Sequence, residues 1–269
     1  MSVALIDGDV LAYLSVPSLY DKKISDDFVI TDLDEKGKVI HPDYTRGEIK
    51  DIIEVSWSYF KINLQDIITD TYCESYKMAV KGEGNFREDL FPDYKNHRRR
   101  QPNLMQPIVN VLRERAIAEG LAVPADGREA DDLLRIWATP MPTDAYIVCS
   151  IDKDLFMIPG SHYNLKHKTF KEMSVLEARR SLYQQILAGD PVDAIQGIPK
   201  VGPVKSKKAL ESCESHEEFQ EVVVAMYFEY YGEEEWLEQL QLNGSLIYLQ
   251  TALTDYFDAK KWRLVKELL

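Results

Sequence analysis

The sequence predicts an α/β fold, a mostly parallel sheet flanked by helices and followed by a helical C-terminal lobe. Short runs of β-forming residues at VALI (3–6), YKMAV (76–80), LAVPA (121–125) and AYIVC (145–149) alternate with stretches of helical period. That alternation favours parallel strands with helices packed over them. Acidic residues gather where several of these strands end, and open α/β sheets hold their ligands at that edge.

VALI reads as a buried strand running directly into Asp7-Gly8-Asp9, with Gly8 supplying the turn. Residues 21–47 are polar, with KGK and HPD turns, and predict an irregular or hairpin insertion. Apolar positions at Ile49, Ile52, Ile53, Trp57, Phe60, Leu64 and Ile67 set a helix over 48–71. The YKMAV strand leads to FREDLFPDYKNHRRRQPN (86–103), and residues 104–119 predict a helix with Pro107 in its first turn. LAVPA then feeds DGREADDLLRIWA, a helix that starts on Glu129, Asp131 and Asp132 and turns Leu133, Leu134, Ile136, Trp137 and Ala138 inward. AYIVC ends on SIDKD. There Asp152 and Asp154, two residues apart, would share one side of an extended strand. SVLEARRSLYQQILAG (174–189) predicts a helix with Ser174 as N-cap and Glu177 in the capping-box place. It runs into GDPVDAIQGIPKVGPVKSKKAL (189–210). Beyond residue 211 the pattern is acidic amphipathic helix, with Phe219, Tyr227, Phe228, Tyr230 and Trp236 as packing residues.

At 269 residues and 45% hydrophobic, the chain can bury one sizeable core, or one core and a smaller lobe. A net charge of −13 argues against a generally basic nucleic-acid coat protein, although a local basic patch can still hold phosphates. Cys73, Cys149 and Cys213 are isolated, which points to free thiols in a reducing compartment. No apolar run is long enough to span a membrane, and MSVALIDGDV is too short and acidic for a signal peptide. The expectation is a cytoplasmic protein with no membrane partner.

Five carboxylates on two element ends (Glu129, Asp131, Asp132, Asp152, Asp154) would repel one another unless cations sit between them, which predicts a divalent-metal site. For residues 86–103 the plain reading is a solvated charged loop. Against it, Lys95, His97, Arg98, Arg99 and Arg100 crowd together in an acidic chain beside Phe91 and Tyr94, a pattern suited to phosphates and to stacking on a base. The turn Gly197-Ile198-Pro199-Lys200-Val201-Gly202-Pro203 is followed by Lys205, Lys207 and Lys208. It could be an ordinary helix connection, but with lysines and the flanking Asp190 and Asp193 it favours backbone amides that bind a phosphate without reading bases.

In chain order, LIDGD (5–9), FPDYKNHR (91–98), EADD (129–132), CSIDKD (149–154) and GDPVDAIQGIPKVGPVKSKKA (189–209) resemble the flap endonuclease and 5′-exonuclease family. That family has a PIN-like nuclease core, and the likeness is greatest to the short phage-encoded 5′-exonucleases of DNA replication. Each motif alone is weak, but five in the family's order are specific. The resemblance implies a core over residues 1–189, with a basic arch near 91–110, and a helical lobe over 190–269 carrying a helix-hairpin-helix element. It implies Asp7, Glu129 and Asp131 as ligands of a first metal, and Asp152, Asp154 and Asp190 as ligands of a second. Asp132 and Asp193 match accessory acids. Two Mg²⁺ ions are implied, with Mn²⁺ as substitute, together with a K⁺ held by carbonyls at the hairpin turn. Lys95 and Arg98 match the pair that contacts the scissile phosphate, and Tyr94 would stack on the terminal base. Arg99, Arg100, Gly197, Lys200, Gly202 and Lys205 would hold DNA. The implied activity is 5′-3′ exonuclease or flap cleavage of duplex DNA, extending to RNA primers in RNA–DNA hybrids, alongside replication proteins.

One departure stands out. A further metal-site Asp of the family aligns near Gly82, and either Glu83 or Asp9 would have to replace it. Three rival readings are an impaired DNA-binding protein, a haloacid-dehalogenase-type phosphatase starting at LIDGDV, and an RNA-cutting PIN domain. The phosphatase reading leaves EADD and the basic segment unexplained, and the RNA-cutting one would not need the hairpin turn.

Overall fold

The computed structural model describes residues 2–17, 32–33, 39–40, 46–95 and 105–268. Arg98, Arg99 and Arg100, in the middle of the arch segment, therefore lie outside the described residues.

All four expected strands form: β1 (Val3–Asp7), β4 (Ser75–Lys81), β5 (Val123–Ala125) and β6 (Tyr146–Ser150). Two short strands, β2 (Asp32–Leu33) and β3 (Val39–Ile40), pair antiparallel within the predicted insertion. The main sheet has six strands in the order β5-β4-β1-β6-β7-β8, where β7 is Gly160–Asn164 and β8 is Thr169–Met173. β5 to β7 run parallel, and only β8 returns antiparallel, so the sheet is mixed. The β7–β8 hairpin was not expected. Its strands, GSHYN and TFKEM, show no regular apolar alternation, and a local turn joins them, with the Asn164 carboxamide oxygen accepting from the amides of Lys166 and His167.

Alternate residues of β1 serve opposite faces of the sheet. Leu5 packs with Ala79 and Val148 in one core, whereas Ala4 and Ile6 pack with Met78, Val80 and Cys149 in the other. The second core is covered by α1 (Gly8–Leu14), α2 (Arg46–Thr71) and α4 (Met105–Ala118). The first is covered by α5 (Ala130–Ala138), α6 (Val175–Ala188) and α8 (His216–Ile247), and it continues without a break into the helical C-terminal region. Short helices α3 (Phe86–Leu90), α7 (Pro203–Ala209) and α9 (Arg263–Leu268) complete the fold. The capping box read in the sequence starts α6: Ser174 Oγ accepts the Glu177 amide, and the Glu177 carboxylate accepts the Ser174 amide.

Candidate metal centre

Parallel strands β1 and β6 end side by side, which brings their terminal residues together. Asp7 is buried there. Its Oδ1 caps α1 by accepting the Val10 amide at 3.1 Å, and its Oδ2 accepts the Ser150 hydroxyl at 2.7 Å. Burial, then the charge of Asp9, pushes the Asp7 carboxyl up to about 7. Asp131, in the first turn of α5, is pushed well up by burial and by the charges of Asp7 and Asp152.

The strand pleat does not align Asp152 with Asp154. β6 stops at Ser150 and the chain turns; Asp152 Oδ1 accepts the Asp154 amide at 2.9 Å, and Asp154 opens a 3₁₀ helix, Asp154–Met157. Asp154 also accepts the Gln185 side-chain amide at 2.8 Å, and burial, then Asp152, pushes its carboxyl up to about 6. After α6, a 3₁₀ turn (Pro191–Asp193) presents two more acids. One oxygen each from Asp154, Asp190 and Asp193 lies within 4.8 Å of the others. An all-carboxylate set of this size suits a hard divalent cation. Asp193 thus joins Asp154 and Asp190, while the exposed Asp152 stands between this trio and Asp7–Asp131, acting on both by its charge.

Among the described residues Lys95, Arg87 and Lys153 bring positive charge to these acids, Lys153 Nζ lying 3.4 Å from Asp190 Oδ2. Lys95 Nζ lies 2.6 Å from Glu129 Oε1 and 3.3 Å from Asp193 Oδ2, and its protonated form is held firmly by these acids against burial. Burial alone would raise the Glu129 carboxyl, but Lys95 and Arg87 outweigh it and hold it below the usual carboxylate range. Glu129 Oε1 also accepts the Asn85 side-chain amide at 3.1 Å.

Three expectations need correction. Tyr94 is buried at 2% exposure, with its hydroxyl donating to Glu129 Oε2 at 3.0 Å, so its ring supports the site from within and is not presented to a base. Asp132 is fully buried with both oxygens occupied: Arg87 donates to them at 2.6 and 2.9 Å, and the amides of Glu129 and Gln250 at 3.0 and 3.1 Å. It braces the site and does not face a metal. Neither alternative for the Gly82 departure is adopted. The Asp9 carboxylate is engaged by Arg113 at 2.5 Å and by the Lys81 amide, and Glu83 is exposed on a turn whose amide donates to Asp126. Position 82 itself is closed, because a Cβ there would lie 2.3 Å from Asp126 Oδ1 and 2.6 Å from the backbone of Ala125 and Asp126. Gly82→Asp should therefore add no ligand and should destabilise the fold by roughly 1–3 kcal/mol, read as a lower melting temperature.

The acids of this cleft also predict a pH dependence. Asp7 binds its proton more tightly in the fold than in the unfolded chain, so its contribution to stability falls as pH rises from about 4 through about 7. In EDTA, Asp7→Asn should gain stability over wild type across that interval by roughly 1–3 kcal/mol, levelling off above it. Urea melts of both proteins from pH 4 to 8 check this, and a constant difference would refute it.

The hairpin element lies where expected, between α6 and α7. Gly197 adopts φ +62, and a Cβ on it would meet the Gly189 amide nitrogen at 2.3 Å, so the two chain segments touch there. Its carbonyl accepts the Tyr231 hydroxyl at 3.0 Å. Lys200, Gly202, Lys205, Lys207 and Lys208 are exposed on or after the turn. Sequence reasoning missed Ser150, Gln185, Asn85 and Arg87, and also Leu246, Ile247 and Leu249, which line the cleft from the end of α8. Only Ser150, beside Asp152 at a strand end, carried a readable signal.

Residues 53–183 match the family model of the 5′-3′ exonuclease N-terminal resolvase-like domain. The chain is 32% identical over 139 residues to DNA polymerase I of Rhizobium leguminosarum, covering 47% of this chain and 14% of that protein. It is 28% identical over 157 residues to a 5′-3′ exonuclease of Buchnera aphidicola subsp. Acyrthosiphon pisum, covering 50% and 54%. It thus spans about half the length of that exonuclease and a small part of the polymerase. Its fold is similar to that of a bacteriophage T5 flap endonuclease solved as a pseudo-enzyme-product complex with DNA and metal ions. The TM-score is 0.63 across 100% of this chain and 96% of that one, at 13% identity, a likeness of fold.

Proposed function

We propose that this chain, a member of the 5′-3′ exonuclease and flap endonuclease family, hydrolyses phosphodiester bonds at the 5′ ends of duplex DNA. The observation that carries the reading is the cleft where Asp154, Asp190 and Asp193 converge beside Asp7, Asp131 and Asp152, with the lysine-bearing hairpin turn following in the chain. Asp154, Asp190 and Asp193 would hold one divalent ion, and Asp7, Asp131 and Glu129 a second, with Asp152 between them. Mg²⁺ fits this hard oxygen set, with Mn²⁺ as substitute. Such ions supply an activated water and charge stabilisation at the leaving oxygen. The chain's own residues do the rest. Lys95 carries a fixed positive charge at the cleft, placed to meet the scissile phosphate. Lys200, Lys205 and the amides near Gly202 would hold duplex backbone, with a K⁺ at the turn, and Arg98, Arg99 and Arg100 would extend the basic surface. The functional division is a core over 1–189 and a helical lobe over 190–269. RNA–DNA hybrids and replication proteins are the further partners this reading implies. No helix among the described residues is long and apolar enough to cross a membrane.

The direct test is cleavage of a 5′-flapped duplex, labelled at either end, in Mg²⁺ or EDTA. Metal-dependent release near the junction supports the reading. A second reading, a structure-specific DNA binder with impaired catalysis, draws on the closed Gly82 position and on Asp132 being committed to Arg87. Tight flap binding without cleavage in Mg²⁺ or Mn²⁺ would decide for it.

A further inference from the structure

Arg87 is fully buried, and among the described residues no other Lys or Arg is buried to that degree. A guanidinium so placed needs its donors satisfied. Its two terminal nitrogens donate to Asp132 at 2.6 and 2.9 Å, while Nε donates to the Leu246 carbonyl at 2.9 Å and Nη2 to the Tyr248 carbonyl at 2.7 Å. Asp132 in turn accepts the amides of Glu129 and Gln250. One ion pair therefore joins α3, the start of α5 and the end of α8.

We propose that Arg87 is a positioning residue for the metal centre: acting through Asp132, it fixes Glu129 as a ligand and locks the 246–250 segment against the cleft. The inference rests on the metal reading above. Glu129 is held from two sides, by the helix it starts and by α3. Its backbone amide is tied to Asp132, and its Oε1 accepts from Asn85, the N-cap of α3. Arg87 Nη1 itself stands 3.9 Å from Glu129 Oε2. Leu246, Ile247 and Leu249 line the cleft, so the carbonyls that Arg87 grips belong to its wall. A buried ion pair is a poor device for stability alone, since an apolar pair of similar volume often serves as well or better. What an apolar pair cannot do is present an acceptor to the Glu129 amide. Groups behind a ligand typically change metal affinity by about 10–100-fold when removed.

The apolar replacement separates the two roles. Arg87→Met with Asp132→Leu removes the pair without leaving a buried charge uncompensated. This double variant should bind Mn²⁺ about 10–100-fold more weakly by titration calorimetry without DNA. On a 5′-flapped duplex kcat should fall while KM for DNA stays within about twofold. A folded double variant that binds Mn²⁺ as wild type does overturns the proposal. Should that protein not fold, Arg87→Lys keeps a cation beside Asp132 but cannot hold its two oxygens and the two carbonyls at once, and wild-type Mn²⁺ affinity there overturns it equally. A wild type that binds no Mn²⁺ would sink the metal reading together with this inference, whereas tight binding in the variants sinks this inference alone.

Discussion

Asp154→Asn should lower Mg²⁺-dependent cleavage of a 5′-flapped duplex by at least ~10²-fold and, in EDTA at pH 7.5, raise the melting temperature. Both effects come from one carboxylate. Asp154 is half-buried against Asp190 and Asp193, and burial with the charge of Asp152 pushes it up to about 6. Because the folded pKa is raised, the ionised form costs stability above about pH 6 when no cation compensates it. Asparagine removes that cost and can still accept the Gln185 amide. It also removes a charged ligand that the proposed ion requires, and stability gained at the expense of activity is the usual outcome at such sites. Divalent ion added to wild type should recover the same stability by binding. Unchanged cleavage would place Asp154 outside the metal centre. An unchanged or lower melting temperature would show that its charge is already compensated.

The sheet and the acidic cleft were legible because each rests on a local pattern. β1, β4, β5 and β6 are short β-forming runs bounded by polar residues, and parallel pairing carries their ends to one edge. The residues that were not legible depend on contacts distant in sequence. Asp132 looked like a ligand because it adjoins Asp131, yet a helix turns consecutive side chains apart. Asp131 faces the cleft, while Asp132 points into the core, where Arg87 meets it. Tyr94 looked like a stacking residue because it adjoins Lys95, but its hydroxyl reaches Glu129 from inside. The β7–β8 hairpin was missed because neither GSHYN nor TFKEM carries the apolar alternation that marks a half-buried strand. The closed Gly82 position depends on Asp126, at the end of the adjacent strand, and no periodicity reports that approach.

Lys95→Gln should produce two effects of opposite sign: tighter Mn²⁺ binding without DNA, by several-fold, and a fall of about 10²-fold in the single-turnover cleavage rate at saturating metal. The ammonium lies 2.6 Å from Glu129 and 3.3 Å from Asp193, so it links one proposed ligand group to the other and occupies oxygens that divalent ions would use. Its removal frees those oxygens, and affinity for the metal rises. In the proposed reaction the same ammonium meets charge developing on the scissile phosphate, so its removal also slows the chemistry. Lys95 holds φ +54, a left-handed conformation that costs a non-glycine residue free energy. Its amide donates to the Asp193 carbonyl at 3.2 Å, which anchors the backbone beside the acids that its side chain engages. Calorimetric Mn²⁺ titration and rapid-quench cleavage separate the two effects. Weaker Mn²⁺ binding in Lys95→Gln would mean that the ammonium organises the carboxylates for the metal and does not compete with it.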